Sequence, residues 1–141
     1  MFSLIYTSKE QQKFAPRDLK KLLVSARIRN SETRVTGMLV YQDGTFLQVL
    51  EGKEEAVEEI FSRIERDTRH GDIRVLSRNV SRPKRRMFGE WSMGFSDVKG
   101  TAQILRGFID VNKGPRLSDL DEARTTDFLE AISKQSARHR A

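Results

Sequence analysis

The sequence contains no cysteine and only 2 histidines among its 141 residues. The absence of cysteine excludes disulfides, thiolate catalysis, zinc ribbons and iron–sulfur clusters. The two histidines, His70 and His139, are too few for an imidazole-rich metal site. We therefore expect no metal chemistry from this chain.

Long apolar runs and standard catalytic motifs are also missing. No run approaches the roughly 20 apolar residues that a bilayer crossing requires. Met1 to Lys9 lacks the basic start and long apolar stretch of a signal peptide, so we expect a cytoplasmic protein. The sequence contains no GxSxG, GxxxxGK[ST] or GxGxxG motif, and we expect no enzyme site.

The composition, with 37% hydrophobic and 33% charged residues, fits one compact unit. We expect a main domain over residues 1–98 and a C-terminal extension over residues 99–141. The net charge of +6 favours anionic partners, and the basic residues are densest from Arg78 to Arg86. That stretch has no interleaved aromatic residues for base stacking, so a solvated loop is the better interpretation than a nucleic-acid patch.

Apolar runs bounded by turn residues predict five strands, and apolar residues at helical spacing predict three helices. Pro16 suits the first position of a helix, and Asp43-Gly44 suits a tight turn between two strands. The predicted elements are β1 (Phe2 to Ser8), α1 (Pro16 to about Arg29), β2 (Val35 to Tyr41), β3 (Thr45 to Glu51), α2 (Lys53 to Arg66), β4 (Ile73 to Val80), β5 (Trp91 to Val98) and α3 (from about Ser118).

The order β-α-β-β-α-β-β predicts an α+β, ferredoxin-like fold with a five-stranded mixed sheet and with α1 and α2 on one face. Strand β1 is apolar on both faces, because Leu4 and Ile5 point in opposite directions. A sheet that is apolar on both faces needs cover on both. We expect α3, a second subunit or both to cover the second face.

Two polar side chains are predicted to point into this core. Alternation places Tyr6 on the face of Leu4, and Gln48 on the face of Phe46 and Leu50. Because β1 and β3 are adjacent in this topology, the phenol and the carboxamide can meet beneath α1 and α2. A polar group buried without a partner costs about 1–3 kcal/mol, so the two side chains need each other or a ligand. Both interpretations remain open at this point.

Other candidate residues are weaker when each is taken alone. Asn30 ends the predicted α1, where it can reach into the cleft between the helices or serve as a helix C-cap. Near the end of α2 lies a mostly polar cluster of residues, which suits either contact with the polar edge of a ligand or a solvated helix terminus. Strand β5 carries two large apolar side chains that are typical of a core. These residues are Arg63, Ile64, Asp67 and His70 near α2, and Trp91 and Met93 on β5.

Taken in order, these residues resemble the BLUF family of blue-light sensors, which use flavin adenine dinucleotide (FAD). The resemblance covers about the first two thirds of the chain. It is carried by the segments Leu4 to Ser8, Ser25 to Arg27 with Asn30, Val35 to Tyr41, Gly44 to Gly52, Arg63-Ile64, Asp67 to His70 and Trp91 to Phe95.

The resemblance implies that the isoalloxazine ring lies between α1 and α2. Tyr6 matches the family's electron and proton donor. Gln48 matches the glutamine that bridges this tyrosine to flavin N5 and O4, and that rotates or tautomerises on illumination. Asn30 matches the amide that holds the pyrimidine edge of the ring.

The remaining positions also have counterparts in the family. Arg29 stands where relatives often carry histidine or asparagine beside the flavin. Trp91 and Met93 match a pair on β5 that carries the signal to the sheet. The resemblance also implies that four residues line the ring edge or the ribityl chain, namely Arg63, Ile64, Asp67 and His70.

The short, stand-alone members of the family act through a separate partner protein and often form oligomers. We therefore expect a downstream signalling partner and a homo-oligomer, with output through β5 and α3. One alternative is a ferredoxin-like nucleic-acid-binding module that uses the loop from Arg78 to Arg86. A second alternative, an acylphosphatase-like hydrolase, requires a phosphate-cradling loop, and Lys9 to Gln12 contains no glycine to form one.

Overall fold

The computed structural model describes residues 1–42, 44–80, 86–87, 94–96, 117, 120 and 122–140. Within these residues the strands are β1 (Phe2–Glu10), β2 (Thr36–Gln42), β3 (Thr45–Gly52), β4 (His70–Val80) and β5 (Gly94–Ser96). The helices are α1 (Pro16–Thr33), α2 (Glu54–Glu65) and α3 (Glu122–Arg140). The sheet order is β4-β1-β3-β2-β5, in which β2 and β5 are parallel and the other neighbours are antiparallel. The predicted ferredoxin-like class is confirmed.

Strand alternation builds two separate cores, one on each face of the sheet. Leu4, Tyr6, Phe46 and Leu50 join the core that packs against α1 and α2. The alternate residues join a second core with side chains from α3, and its buried members are Ile5, Met38, Val40, Leu47, Val49, Leu117, Leu120, Phe128, Leu129 and Ile132. The second apolar face is therefore covered by the C-terminal helix, as the apolar pattern predicted.

Helix α1 begins at Pro16, as predicted, and the Asp18 carboxylate accepts a hydrogen bond from the Ala15 amide at 2.9 Å. It ends later than predicted, at Thr33, and its C-cap is Arg34 in the left-handed conformation (φ 58°). The interpretation of Asn30 as the C-cap is wrong. No glycine marked the true end, because an arginine takes the conformation that glycine usually provides.

Strands β1 and β4 also exceed their predicted lengths. Strand β1 runs to Glu10, because Lys9 pairs with Thr45 on one side and Glu10 pairs with His70 on the other. The polar side chains at this end concealed the backbone pairing. Gly44, in the turn between β2 and β3, has φ +80°, and a Cβ atom there would approach Glu10 Oε1 to 2.9 Å. The Glu10 side chain could move aside, so the positive φ, which residues with a Cβ atom rarely adopt, explains why the turn favours glycine.

Polar contacts attach the C-terminal part of the chain to the sheet. The Glu51 carboxylate accepts a hydrogen bond from the Met87 amide at 2.7 Å, and Ser133 donates to the Met87 carbonyl at 2.9 Å. Gln42 Oε1 accepts from the Leu117 amide at 2.8 Å. None of the helices in the described part of the chain is long and apolar enough to cross a membrane.

Candidate functional site

Tyr6 and Gln48 lie directly opposite each other in the β1–β3 ladder. Both side chains are buried, with 3% and 4% of their surface exposed, and the Tyr6 hydroxyl donates a hydrogen bond to Gln48 Oε1. Burial raises the pKa of the Tyr6 phenol well above its usual value, because the phenolate would lose its hydration. Tyr6 is therefore a neutral phenol with a defined acceptor for its proton.

The pair lies on the floor of a cavity of about 120 Å³ between α1 and α2. Helix α1 lines one wall and the end of α2 lines the other, while β1 and β3 form the floor. The residues that line the cavity are Tyr6, Ser8, Phe14, Leu22, Ser25, Ala26, Arg29, Leu39, Phe46, Gln48, Arg63, Ile64, Asp67, Arg69 and His70. Tyr6 and Gln48 are thus hydrogen-bonded to each other and also line the cavity. The pair is therefore not simply a hydrogen bond closed within an ordinary core.

His70 connects three elements beside the cavity. Its Nε2 lies 2.7 Å from the Ile64 carbonyl oxygen, and its Nδ1 lies 2.8 Å from Ser8 Oγ. A carbonyl oxygen only accepts, so Nε2 carries a hydrogen, and in the neutral ring Nδ1 then accepts from the Ser8 hydroxyl. His70 thereby links the end of α2 to β1 and holds that wall in place.

Asp67 and Arg69 form a bidentate ion pair beside His70. Arg69 donates to both oxygens of Asp67, at distances of 2.5 to 3.1 Å, and its backbone amide donates to Oδ1 at 3.0 Å. The side-chain hydrogen bonds from Arg69 hold the pKa of Asp67 below its usual value. The only acidic side chain that lines the cavity, within the described residues, is thus engaged by a neighbouring cation.

Arg29 lines the cavity from α1, and its Nε atom is buried without a hydrogen-bond partner among the described residues. Burial lowers the pKa of Arg29, the nearby Tyr6 opposes that shift, and the charge of Arg63 adds to it. Arginine nevertheless stays protonated in proteins. Arg29 therefore presents a positive charge and an unsatisfied donor beside the Tyr6–Gln48 pair.

The structure brings most of the predicted site residues to this one cavity. Seven line it, namely Tyr6, Arg29, Gln48, Arg63, Ile64, Asp67 and His70. Asn30 is fully buried one helical turn beyond Ala26, but it is not among the lining residues. Trp91 and Met93 lie outside the described residues, so their part in the site stays a prediction.

Ser8, Phe14 and Arg69 are among the cavity-lining residues that sequence reasoning did not assign to the site. Ser8 shares the face of Tyr6, so strand alternation was sufficient to find it. Phe14 packs edge-on against Phe46 with ring centroids 5.2 Å apart, and the Arg69 guanidinium lies 5.9 Å from the Phe14 ring. Phe14 and Arg69 lie outside any periodic pattern; Arg69 falls in a segment that carries the family resemblance, whereas the sequence carries no signal for Phe14.

The basic stretch from Arg78 to Arg86 is engaged within the chain at both of its described ends. Arg78 forms an ion pair with Glu58 and lies 5.5 Å from the Phe61 ring. Arg86 donates to Thr36 Oγ1 at 2.9 Å and to the Glu51 carbonyl at 3.0 Å. Residues 81–85 lie outside the described part of the chain, so the solvated loop predicted there stays a prediction.

Comparison with known proteins identifies one family over this region. The model of the BLUF family, described as sensors of blue light using FAD, matches residues 1–94. The blue light- and temperature-regulated antirepressor BluF of Escherichia coli K12 is 34% identical over 97 residues, which are 69% of this chain and 24% of that protein. The photoactivated adenylate cyclase subunit beta of Euglena gracilis is 30% identical over 107 residues, which are 75% of this chain but only 12% of the relative.

Solved structures of shorter proteins match nearly end to end. BlsA in its photo-activated state superposes with a TM-score of 0.79 at 28% identity, over 94% of each chain. The dark-state structure of BlrB, a BLUF protein, gives a TM-score of 0.79 at 25% identity, over 95% of this chain and 96% of BlrB. This chain thus matches only a small part of the photoactivated adenylate cyclase subunit. It matches almost the whole of BlsA and BlrB.

Proposed function

We propose a photochemical mechanism for this chain, which belongs to the BLUF family of flavin-binding blue-light sensors. The observation that supports it most directly is the buried hydrogen bond from Tyr6 to Gln48 on the floor of the cavity. In this proposal the chain binds FAD non-covalently, and Tyr6 and Gln48 form the switch that responds to light. The chain itself catalyses no reaction and signals to a separate partner protein.

The chemistry of the cavity fits a flavin. Leu22, Ala26 and Ile64 supply apolar surface suited to a flat aromatic ring, and the floor supplies polar groups suited to a ring edge. The buried Nε of Arg29 requires an acceptor, and the carbonyl oxygens of a flavin are acceptors. The proposal specifies FAD, and titration of the apoprotein with FAD, FMN and riboflavin tests that choice. Tighter binding of FMN than of FAD would contradict it.

Bound flavin supplies blue absorption and, once excited, a strong oxidant. Tyr6 is the proposed electron donor, since its neutral phenol loses an electron more easily when the proton leaves at the same time. Gln48 Oε1 already holds the hydrogen bond along which that proton moves. Rotation or tautomerisation of the Gln48 amide then exchanges its donor and acceptor groups. The light signal is thus a changed hydrogen-bond pattern around one glutamine.

The first experiment compares the two tyrosines of the chain, Tyr6 and Tyr41. We expect the wild-type protein to purify yellow and its flavin bands to shift to the red under blue light. Tyr6→Phe should keep the flavin and lose the shift entirely, because phenylalanine preserves the packing but has no proton to transfer. Tyr41, whose hydroxyl donates to Glu10 at 2.8 Å outside the cavity, is the matched control, and Tyr41→Phe should keep the shift. A normal photocycle in Tyr6→Phe would refute the assigned role.

The second experiment compares two buried glutamines, Gln48 and Gln42, which point to opposite faces of the sheet. Gln48→Leu should bind flavin but fail to switch, because leucine fills a similar volume without a donor or acceptor. Gln42→Leu removes the acceptor for the Leu117 amide, so it should lower stability and keep the spectral shift. Retention of the shift in Gln48→Leu would exclude Gln48 as the switch.

We further propose that output passes through the sheet to β5 and α3, and that Asn30, Trp91 and Met93 act as the family resemblance implies. The support is packing, because Leu47 and Val49 flank Gln48 on β3 and lie in the same core as α3. Truncation before Ser118 would expose this core, so hydrogen exchange on the whole chain is the better test. Illumination should change the exchange rates of α3 amides in the wild type but not in Gln48→Leu. Identical exchange rates in darkness and light would show that the signal leaves the chain by another surface.

A further inference from the structure

We propose that Arg29 raises the reduction potential of the flavin by keeping a fixed positive charge inside the binding cavity. This inference rests on the proposed function, in that the cavity must bind a flavin. It goes further by assigning to one side chain the control of how readily the bound ring accepts electrons. Arg29 thus acts through its positive charge, a role distinct from those of Tyr6 and Gln48.

The first argument is the environment of the Arg29 side chain. Its Nε atom is buried at the cavity and has no hydrogen-bond partner among the described residues. A buried charged donor without an acceptor is strongly unfavourable. Because the described protein provides no acceptor, the ligand in the cavity is the natural source of one, and the guanidinium then lies next to ligand oxygen or nitrogen atoms.

The second argument is the charge balance of the cavity. Three arginines line it, Arg29, Arg63 and Arg69, against the single carboxylate of Asp67 in the described residues. Arg69 is bound to Asp67 at 2.5 Å. The Arg63 side chain is 56% exposed and pairs with Glu59, so water screens its charge. Among the described residues, Arg29 is therefore the cavity-lining arginine without an ion-pair partner, and the residue is partly buried, with its Nε atom fully so.

The third argument is electrostatic. Reduction places electrons on the ring, and a fixed positive charge in a site of low dielectric constant stabilises that added density more than it would in water. Charge near the flavin ring is one of the ways in which a protein tunes the cofactor. The same charge acts on the floor of the cavity, where it opposes the rise in the pKa of Tyr6 that burial causes. Arg29 thus favours both the acceptance of an electron and the release of the Tyr6 proton.

The test is a reductive titration in the dark, with a reference dye, of the flavin-loaded full chain. Arg29→Gln should shift the midpoint potential to a more negative value, and Arg29→Lys, which keeps the charge, should restore most of the wild-type potential. Arg27→Gln is the matched control, because Arg27 is an exposed arginine on the same helix that does not line the cavity. It should leave the potential unchanged.

A thermodynamic cycle provides a second measurement. If Arg29 stabilises the reduced ring, the wild type binds reduced flavin more tightly relative to oxidised flavin than Arg29→Gln does. An unchanged potential and an unchanged affinity ratio in Arg29→Gln would overturn the inference while leaving the proposed function intact. Binding of oxidised and reduced flavin that weakens by the same factor in both Arg29→Gln and Arg29→Met would also overturn it, since Arg29 would then hold the ligand without favouring its reduced form.

The outcomes separate this inference from the proposed function. A lowered potential in Arg29→Gln, together with a spectral shift that does not depend on Tyr6, would support the role of Arg29 and refute the Tyr6 mechanism. A chain that binds no flavin at all would refute both.

Discussion

On one face of the sheet, Tyr6 and Gln48 border a cavity, whereas on the other face Leu47 and Phe128 are fully buried in a continuous apolar core. Both faces are built from the same strands, and on β3 the residues alternate between them. The difference lies in what covers each face. Two helices flank a cleft on the first, and α3 packs directly on the second.

In the proposed function, one sheet combines a switch on one face with a close-packed core on the other. A polar pair beside a cavity can change its hydrogen bonds without moving many neighbours. A close-packed core resists small changes and transmits strain. Each face also carries a buried apolar core, so we infer that both contribute to stability and that the face with the cavity gains further stability when a ligand is bound.

The largest expected effect tests the face of the sheet that α3 covers. Phe128→Ala should lower the free energy of unfolding by about 3–5 kcal/mol, because it removes a fully buried aromatic ring and leaves a cavity. Glu130→Ala, at an exposed position on the same helix, should change it by less than about 0.5 kcal/mol. Denaturant unfolding measures both values. Equal effects from the two substitutions would show that α3 contributes little to the stability of the sheet.

The next effect tests the face that carries the cavity, through the flavin proposed to bind there. Flavin that binds only the folded chain should raise the free energy of unfolding by about 2.7 kcal/mol when its free concentration is 100 times the dissociation constant. The gain should persist in Phe128→Ala at a flavin concentration scaled to that variant's own dissociation constant. Thermal unfolding with and without flavin checks this. A ligand-induced gain that disappears in Phe128→Ala would mean that the two faces are strongly coupled.

A smaller effect concerns the attachment of α3. Ser133→Ala removes the hydrogen bond to the Met87 carbonyl and should lower stability by about 1 kcal/mol. Lys134→Ala, at the adjacent exposed position, is the control and should be nearly neutral. The measurement is again denaturant unfolding. No difference between the two variants would show that packing alone holds α3 to the sheet.

The smallest effect concerns the ion pair beside the cavity and depends on pH. The hydrogen bonds from Arg69 lower the pKa of Asp67, so its ionised form stabilises the fold above the ordinary carboxyl pKa. Asp67→Asn should therefore destabilise the chain by less than about 1 kcal/mol at neutral pH, since the pair is partly exposed. The deficit should vanish as the pH falls through the lowered pKa. Asp72→Asn, in an exposed pair with Lys9, is the control, and a deficit independent of pH in Asp67→Asn would exclude the charge as the cause.

Much of the fold was predictable because periodicity is a local property. The alternation of Leu4, Ile5 and Tyr6 assigned each side chain to a face, and Pro16 marked the start of α1. The ends of elements were less predictable. Arg34 ends α1 in a left-handed conformation without a glycine to mark it, and the backbone pairing at the polar end of β1 has no apolar alternation to reveal it.

The sequence alone determined which residues belong to each face of the sheet and, through its resemblance to the BLUF family, the class of flavin-using sensors to which the chain belongs. Only the tertiary structure decided that Tyr6 lies directly opposite Gln48, that Asn30 lies off the cavity lining, and that Arg29 carries a buried donor without a partner among the described residues. Periodicity fixes the direction of a side chain relative to its own strand or helix. Strand register and the approach of two helices depend on the packing of residues far apart in the chain, and no local pattern specifies the distances that result.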